Sequence, residues 1–220
     1  MIEIRNLEKR FDRFSGITYQ NLRFETGKSY VLLGASGCGK STLLNLIAGI
    51  LSPGAGSIWI DGKEMSAQSQ RERDNFRIHN IGYIFQDFKL IDEMSVRDNI
   101  DILRLEGVDT SGMDSLLDNL GILALKKKRV SLLSGGEKQR LAIARALIKK
   151  PSIILADEPT GNLNYAIGRK VVEALLDASR GKTLLCVTHD ERLAELFDEL
   201  IDMNEIAAPM EEEDHASLRA

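Results

Sequence analysis

The chain has 220 residues, which is enough for one domain with a hydrophobic core, or for one core with a small subdomain. The formal net charge of −4 argues against a nucleic-acid partner, because such a partner usually requires a basic face. No apolar run approaches the roughly 18 residues of a membrane span, and the sequence predicts no secretory signal. Two widely separated cysteines, Cys38 and Cys186, argue against a disulfide and favour a reducing cytoplasm.

The first third of the chain predicts a β-rich region. Ser29–Leu33 is a continuous apolar strand that runs into Gly34, and Lys40–Gly49 has the apolar spacing of a helix. Short apolar alternation, bounded by Gly, Asn and Asp, indicates three further strands, at Ile2–Leu7, Ile17–Phe24 and Ser57–Asp61.

The middle of the chain predicts helices after one more strand, Gly82–Gln86. The helical pattern continues from Asp87 to Lys150, and Pro151 ends it. Within it, Ser95 and Ser134 have the character of N-caps. The helices predicted there are Val96–Leu105, Asp114–Leu120 and Glu137–Lys150.

The last part of the chain predicts two buried strands, Ile153–Asp157 and Thr183–Thr188, separated by a helix at Tyr165–Ser179. Strands that alternate with helices imply a mostly parallel sheet. The tail from Met210 is acidic and is expected to be frayed.

The stretch GASGCGKST matches G-x-x-x-x-G-K-[ST], the phosphate-binding loop. Its glycines let the backbone wrap closely around phosphates, and the following helix adds its positive dipole end. Lys40 is expected to reach the β- and γ-phosphates, and Ser41 to ligate Mg²⁺. The alternative is a glycine-rich turn, but such a match arises by chance in roughly one chain of this length in a hundred. The predicted nucleotide contacts are Gly34, Ala35, Ser36, Gly37, Cys38, Gly39, Lys40, Ser41 and Thr42.

Three ionisable residues follow the later core strands. Asp157 and Glu158 end one apolar strand, so one carboxylate can hold Mg²⁺ while the other positions the attacking water. An acidic loop start is the alternative interpretation. His189 follows another core strand, which makes a γ-phosphate contact plausible, although a lone histidine is more often structural.

A second anion site is predicted where Ser134, Gly135 and Gly136 open a helix. Two helix N-termini that can bind phosphate in one chain leave two interpretations open. Either both N-termini bind the same nucleotide, or each belongs to a different site.

LSGGEKQR at Leu133–Arg140, together with the phosphate-binding loop, resembles the ATP-binding subunit of ABC transporters, and the likeness runs from Ile2 to about Met203. In that family two subunits pack head to tail around ATP and Mg²⁺. The resemblance implies that Lys40 of one copy faces the signature residues of the other across the ATP. Those residues are Ser134, Gly135, Gly136 and Glu137.

The resemblance also implies roles for single residues. Glu158 matches the catalytic base and His189 the switch histidine, while Gln86 matches the lid glutamine that senses the water and Mg²⁺. Asp157 then joins Ser41 and Gln86 at the metal. The segment Gln86–Asn99 lies where a helix of the permease would dock.

An aromatic ring that stacks on adenine is expected near the N-terminus. Phe11 lies at the matching position, and Phe14 or Tyr19 could supply the ring instead. The alternative interpretation is that Phe11 is only a residue of the hydrophobic core. Two residues depart from the family pattern. Asn164 stands where aspartate is usual, in the loop that contacts the opposite subunit, and Cys38 stands where many members have serine.

Pattern and resemblance together predict a single α/β domain of the P-loop NTPase class. Its core would comprise residues 1–86 and 151–220, with a mostly parallel sheet and an N-terminal antiparallel β subdomain, and residues 87–150 would form an inserted helical subdomain. A narrower likeness, in HNIGYIFQDFKL and DEPTGNL, is to exporters of macrolides, lipoproteins and antimicrobial peptides.

The resemblance implies an ATPase that powers separate integral membrane permease subunits, as a homodimer on the cytoplasmic face of a bacterial membrane. The alternative is an ABC ATPase of a non-transporting signalling or cell-division complex. Soluble chromosome-type ATPases are disfavoured because no long heptad region separates Lys40 from Ser134.

Overall fold

The computed structural model describes residues 1–161 and 163–210, so the acidic tail beyond Met210 lies outside the described residues. The strands in chain order are β1 (Ile2–Arg10), β2 (Gly16–Tyr19), β3 (Leu22–Phe24), β4 (Ser29–Leu33), β5 (Ala55–Ile60), β6 (Lys63–Glu64), β7 (Ile81–Ile84), β8 (Ile153–Asp157), β9 (Thr183–Val187), β10 (Glu199–Asp202) and β11 (Ala207–Pro209). The α-helices are α1 (Lys40–Ile47), α2 (Gln70–Asn80), α3 (Val96–Asp101), α4 (Met113–Asn119), α5 (Gly135–Leu147), α6 (Tyr165–Ala178) and α7 (Met203–Ile206).

The central sheet is parallel and has the order β10-β4-β9-β8-β7. Every residue of β7, β8 and β9 is buried, because helices or a second sheet cover both faces. All five strands run the same way, so their carboxyl ends lie along one edge of the sheet. This arrangement confirms the α/β fold with a mostly parallel core.

The second sheet is antiparallel and has the order β11-β2-β1-β5-β6, with β3 also paired to β1. Its buried face packs with α1 against one face of the parallel sheet. Ile2, Leu43 and Leu185 belong to this single buried cluster and come from β1, α1 and β9 respectively. The antiparallel sheet therefore supports the helix that follows the phosphate-binding loop.

The helical region packs on the other face of the parallel sheet. Val96, Leu117 and Leu141 share one buried cluster with Ile154 and Leu184 of the sheet. The division of the chain at residues 87 and 150 stays a prediction, because this core runs continuously through both parts. Helix α5 lies close against β7, where a Cβ on Gly82 would stand only 2.9 Å from the carbonyl oxygen of Ala146.

Several predicted boundaries are corrected by the structure. The predicted strand Ile17–Phe24 is two strands, β2 and β3, which pair with different parts of β1. The helix predicted at Val96–Leu105 is α-helical only to Asp101, and a 3-10 helix continues it over Ile102–Glu106. The helix predicted to begin at Glu137 begins at Gly135, because Ser134 caps it directly.

Candidate functional site

The predicted site residues from four strands meet at the carboxyl edge of the parallel sheet. Gly34 follows β4, Glu158 follows β8, and Gln86 and His189 lie two residues beyond β7 and β9. Ligands of open parallel sheets bind at this edge. A cavity of about 330 Å³ lies there and is lined by Ser36, Gly37, Gly39, Lys40, Ser41, Thr42, Gln86, Glu158, Val187 and His189.

The phosphate-binding loop depends on left-handed backbone at two glycines, Gly37 with φ 83° and Gly39 with φ 96°. The antiparallel sheet supports the loop from below. The Tyr19 hydroxyl donates to the carbonyl oxygen of Gly39 over 2.9 Å. A Cβ on Gly39 would lie 2.1 Å from Cδ1 of Ile17, so the loop and β2 are in close contact.

Lys40 directs its ammonium group into the loop. Its Nζ donates to the carbonyl oxygens of Gly34 and Ala35 over 2.7 and 2.8 Å, and the residue is only 8% exposed. Both acceptors are neutral, so the positive charge of the lysine is left to attract an anion. A triphosphate in the loop would supply that anion.

Ser41 and Asp157 form the pair predicted to hold a metal ion. The Ser41 hydroxyl donates to Oδ1 of Asp157 over 2.9 Å. Burial raises the pKa of the Asp157 carboxyl, which means that its charged form is poorly solvated there. A hydroxyl and a carboxylate oxygen suit Mg²⁺, which takes one or two protein carboxylates together with substrate phosphates. The pair therefore fits a magnesium ion.

Glu158 and His189 are in direct contact across the ends of β8 and β9. Nδ1 of His189 lies 2.9 Å from Oε2 of Glu158. The backbone of Glu158 has φ 47°, a conformation that costs on the order of 1–3 kcal/mol in a residue other than glycine. Such strain is typical of active sites, and here the conformation places the carboxylate in the wall of the cavity.

Gln86 is exposed and also lines the cavity. The loop that follows it is held by Asn99, which is fully buried. Oδ1 of Asn99 accepts from the backbone N–H of Ile91 over 2.8 Å, and its Nδ2 donates to the Ile91 carbonyl over 3.0 Å. The last residue of the predicted docking segment Gln86–Asn99 therefore anchors the middle of that segment, at Ile91.

The three candidate aromatic rings have different surroundings. Phe11 is 57% exposed and Phe14 is 77% exposed, and both lie between β1 and β2. Tyr19 is buried, and its hydroxyl is engaged with Gly39. The ring of Tyr19 therefore offers no free face to a base, and adenine stacking stays a prediction for Phe11, with Phe14 as the alternative.

The signature residues lie apart from the cavity. Ser134 caps α5, and its N–H donates to Oε2 of Glu137 over 2.7 Å in a capping box. Ser134 and Gly135 are exposed, and none of the four predicted signature contacts is among the residues lining the cavity. Within one chain, the two predicted anion sites therefore do not share one cavity.

The two departures from the family pattern have simple local environments. Oδ1 of Asn164 accepts from the N–H of Ile167 over 3.0 Å, so Asn164 is the N-cap of α6 and is exposed. Cys38 is half-buried in the phosphate-binding loop and Cys186 is buried in β9, and both are free thiols.

Comparison with known proteins agrees with this geometry. The family model described as "ABC transporter" matches residues 18–161. An uncharacterized ABC transporter ATP-binding protein of Mycobacterium tuberculosis is 42% identical over 82% of this chain and 75% of its own length. The lipoprotein-releasing system ATP-binding protein LolD of Xanthomonas campestris is 38% identical over 84% of this chain and 80% of its own.

A solved structure, the dimeric post-hydrolysis state of the ATP-binding cassette MJ0796 bound to ADP and Pi, superposes with a TM-score of 0.80. It is 30% identical, and the match covers 92% of this chain and 94% of that one. Sequence, fold and the arrangement of the cavity lead to the same conclusion: the chain belongs to the ATP-binding proteins of the ABC transporter family.

Proposed function

We propose that this ABC ATPase dimerises around ATP and powers a separate membrane permease that exports a lipoprotein, peptide or drug-like substrate. One observation carries the dimer: the phosphate-binding loop lines the cavity, whereas Ser134 and Gly135 are exposed outside it. A second copy can bring its signature residues to the nucleotide of the first. The dimeric cassette bound to ADP and Pi is a related protein that supports this arrangement.

Within the cavity, each residue has a proposed task in phosphoryl transfer. Lys40 and the loop N–H groups bind the phosphates, and the helix α1 begins directly behind them. Glu158 orients and deprotonates the attacking water, while His189 and Gln86 hold the γ-phosphate end of the cavity. Ser41 and Asp157 would hold Mg²⁺, which neutralises charge on the phosphates when bound.

The contact between His189 and Glu158 suggests how the carboxylate of the proposed base is kept in one orientation. The φ 47° backbone directs the Glu158 side chain toward the cavity, and the imidazole at 2.9 Å restricts rotation of the carboxylate. A base held in one orientation loses little freedom when the water is activated. Substitution of either residue is therefore expected to lower turnover more than ATP affinity.

None of the helices within residues 1–161 and 163–210 is long and apolar enough to cross a bilayer. The proposal of a separate permease rests on a named relative and on a sequence motif. The relative LolD is named as part of a lipoprotein-releasing system, which supports export and a location at the cytoplasmic face of the membrane. The motif DEPTGNL gives the same indication from the sequence.

The test uses Glu158→Gln, which should bind ATP but hydrolyse it very slowly, because the amide cannot accept the proton of the water. We expect this variant to become dimeric with ATP and to stay monomeric without it, as measured by light scattering after gel filtration. Unchanged hydrolysis would show that another residue is the base.

The matched control adds Gly135→Asp to the same variant. A Cβ on Gly135 meets no atom within 4 Å, so the substitution leaves the subunit intact, but its charge would repel the triphosphate of a facing copy. Loss of the ATP-dependent dimer is expected. Persistence of the dimer would contradict the head-to-tail arrangement.

The partner is tested by purifying tagged Glu158→Gln with ATP from detergent-solubilised native membranes. Recovery of a stoichiometric multi-span protein supports a permease motor, and its architecture separates an exporter from a signalling or cell-division complex. Recovery of soluble proteins alone would overturn the proposed membrane role.

A further inference from the structure

The loop that begins at Gln86 is tied to α5 and to the segment just before that helix. At the far end of the loop, the N–H of Ser131 donates to the Asp92 carbonyl oxygen over 3.0 Å. Nζ of Lys138, on α5, donates to Oδ1 of Asp92 over 2.8 Å. Movement of α5 would therefore carry this end of the loop with it.

The near end of the loop is held by Arg145, in the last turn of α5. Its Nη2 donates to the carbonyl oxygen of Phe88 over 2.7 Å, and its Nη1 donates to that of Lys89 over 2.5 Å. One rigid guanidinium group thus holds two consecutive peptide units. These units lie two and three residues after Gln86.

The held residues are both in the left-handed region of backbone space. Phe88 has φ 62° and Lys89 has φ 48°, and neither is a glycine. Side chains disfavour this conformation, and two such residues in succession persist only where the surroundings enforce it. The turn has two backbone hydrogen bonds of its own, from the N–H of Phe88 to the Phe85 carbonyl oxygen over 3.0 Å and from the N–H of Lys89 to that of Asp87 over 2.7 Å. The two bonds from Arg145 add to these and attach the turn to α5. Without them, the turn is expected to relax and to carry Gln86 away from its place.

Packing alone does not explain an arginine at this position. Arg145 lines a groove of about 190 Å³ beside Ile81, Tyr83 and Phe85, together with the cations Arg77 and Lys149. Burial lowers the pKa of the Arg145 guanidinium, so the charged form is disfavoured by its surroundings. An apolar side chain would suit this groove better, which leaves the hydrogen bonds to the turn as the function of the residue.

We propose that Arg145 is a positioning residue for ATP hydrolysis, which holds the turn at Phe88 and Lys89 and thereby fixes Gln86 in the nucleotide cavity. Ser134 caps the helix that carries Arg145. If α5 shifts when its N-terminus meets the nucleotide of a facing copy, it therefore also shifts Gln86 of its own site. The inference rests on the proposed function, because it requires that Gln86 acts in hydrolysis.

The first test is steady-state ATP hydrolysis by Arg145→Met, which keeps an unbranched apolar stem in the groove and removes both hydrogen bonds. We expect kcat to fall about tenfold, because relaxation of one left-handed residue changes the loop population by about that factor. KM for ATP should stay unchanged, since the phosphate-binding loop is untouched. The control is Lys149→Met, which removes a neighbouring cation of the groove that donates to Ile81 and not to the turn, and which should keep wild-type kcat.

The second test separates positioning from general stability. In the Arg145→Met background, Lys89→Gly should restore most of kcat, because glycine adopts positive φ without strain. Lys89→Ala removes the same exposed side chain but keeps the strain, so it should restore nothing. Equal effects of glycine and alanine would overturn the proposal, as would wild-type kcat in Arg145→Met.

If Arg145→Met does not fold, the same two Lys89 substitutions are compared in Arg145→Lys. Its single ammonium group replaces the two donating nitrogens of the guanidinium group. Rescue by glycine alone again supports the proposal, and equal effects again overturn it. Gln86→Ala in the otherwise unaltered chain tests the premise separately. Unchanged kcat there refutes the proposed role of Gln86, whereas the glycine rescue reports on Arg145.

Discussion

Replacement of Gly39 by alanine should weaken the fold more than the same change at Gly37, although both glycines have positive φ in one loop. Gly37 has φ 83° and Gly39 has φ 96°. A Cβ on Gly37 meets no atom within 4 Å. A Cβ on Gly39 lies 2.1 Å from Cδ1 of Ile17 and 2.8 Å from the Tyr19 hydroxyl, and both of these side chains are buried.

The loss of stability in each variant is the sum of a backbone cost and a packing cost. Left-handed backbone costs an alanine about 1–2 kcal/mol at either position. Only Gly39→Ala adds the cost of overpacking a buried contact, which is typically about 1–3 kcal/mol. Replacing glycine by alanine also lowers the conformational entropy of the unfolded chain, and this effect is the same at both positions. It therefore cancels in the difference between the two variants. Gly39→Ala should therefore be less stable than Gly37→Ala by about 1–3 kcal/mol.

The assay is urea denaturation of both variants without nucleotide, in which far-UV circular dichroism monitors unfolding. The Gly39→Ala/Ile17→Val double variant provides the internal check, because it deletes the methyl group nearest to the new Cβ. Ile17→Val alone costs about 0.5–1.5 kcal/mol, and in the double variant it should instead recover part of the difference. Equal unfolding free energies for Gly37→Ala and Gly39→Ala would refute the idea that β2 supports the loop through close contact.

Three further substitutions test the site. Lys40→Ala should abolish ATP binding measured by calorimetry, and normal turnover would overturn its phosphate role. Asn164→Asp keeps an N-cap oxygen for Ile167, so the melting temperature should not change. A changed dependence of ATPase activity on protein concentration would show that this position couples the two subunits. An unchanged dependence would make the substitution neutral. Burial raises the pKa of the Asp157 carboxyl, so the folded state loses stability as pH rises from the unfolded pKa to the folded one. Asp157→Asn should then raise the melting temperature at neutral pH while lowering Mg²⁺-dependent hydrolysis, and a lower melting temperature would contradict this sign.

Much of the core was predictable because its signals are local. Ser29–Leu33 and Ile153–Asp157 are continuous apolar runs, and the structure has strands with those bounds. Ser134 was predicted as a cap from its residue type, and its hydrogen bond with the N–H of Glu137 confirms this. The apolar pattern also identifies α6 to within one residue.

Other features depended on contacts that no local pattern contains. Helix α2 has few apolar residues, so hydrophobic periodicity does not predict it, although Ser69 and Glu72 form a capping box that the sequence displays. Strand β11 has only three residues and pairs with β2, which precedes it by nearly the whole length of the chain. The attachment of Arg145 to Phe88 spans 57 residues and has no signature in the sequence.

The order of strands in the parallel sheet has a consequence for synthesis of the protein. β4 carries the phosphate-binding loop, and its two neighbours are β9 and β10, which come late in the chain. During translation, SYVLL is therefore made long before either partner strand, and both of its edges are unpaired. A nascent chain presents the complete nucleotide motif without the sheet that holds it. Because a ligand stabilises only the folded state that it binds, ATP can assist folding only after β10, which ends at Asp202, has left the ribosome.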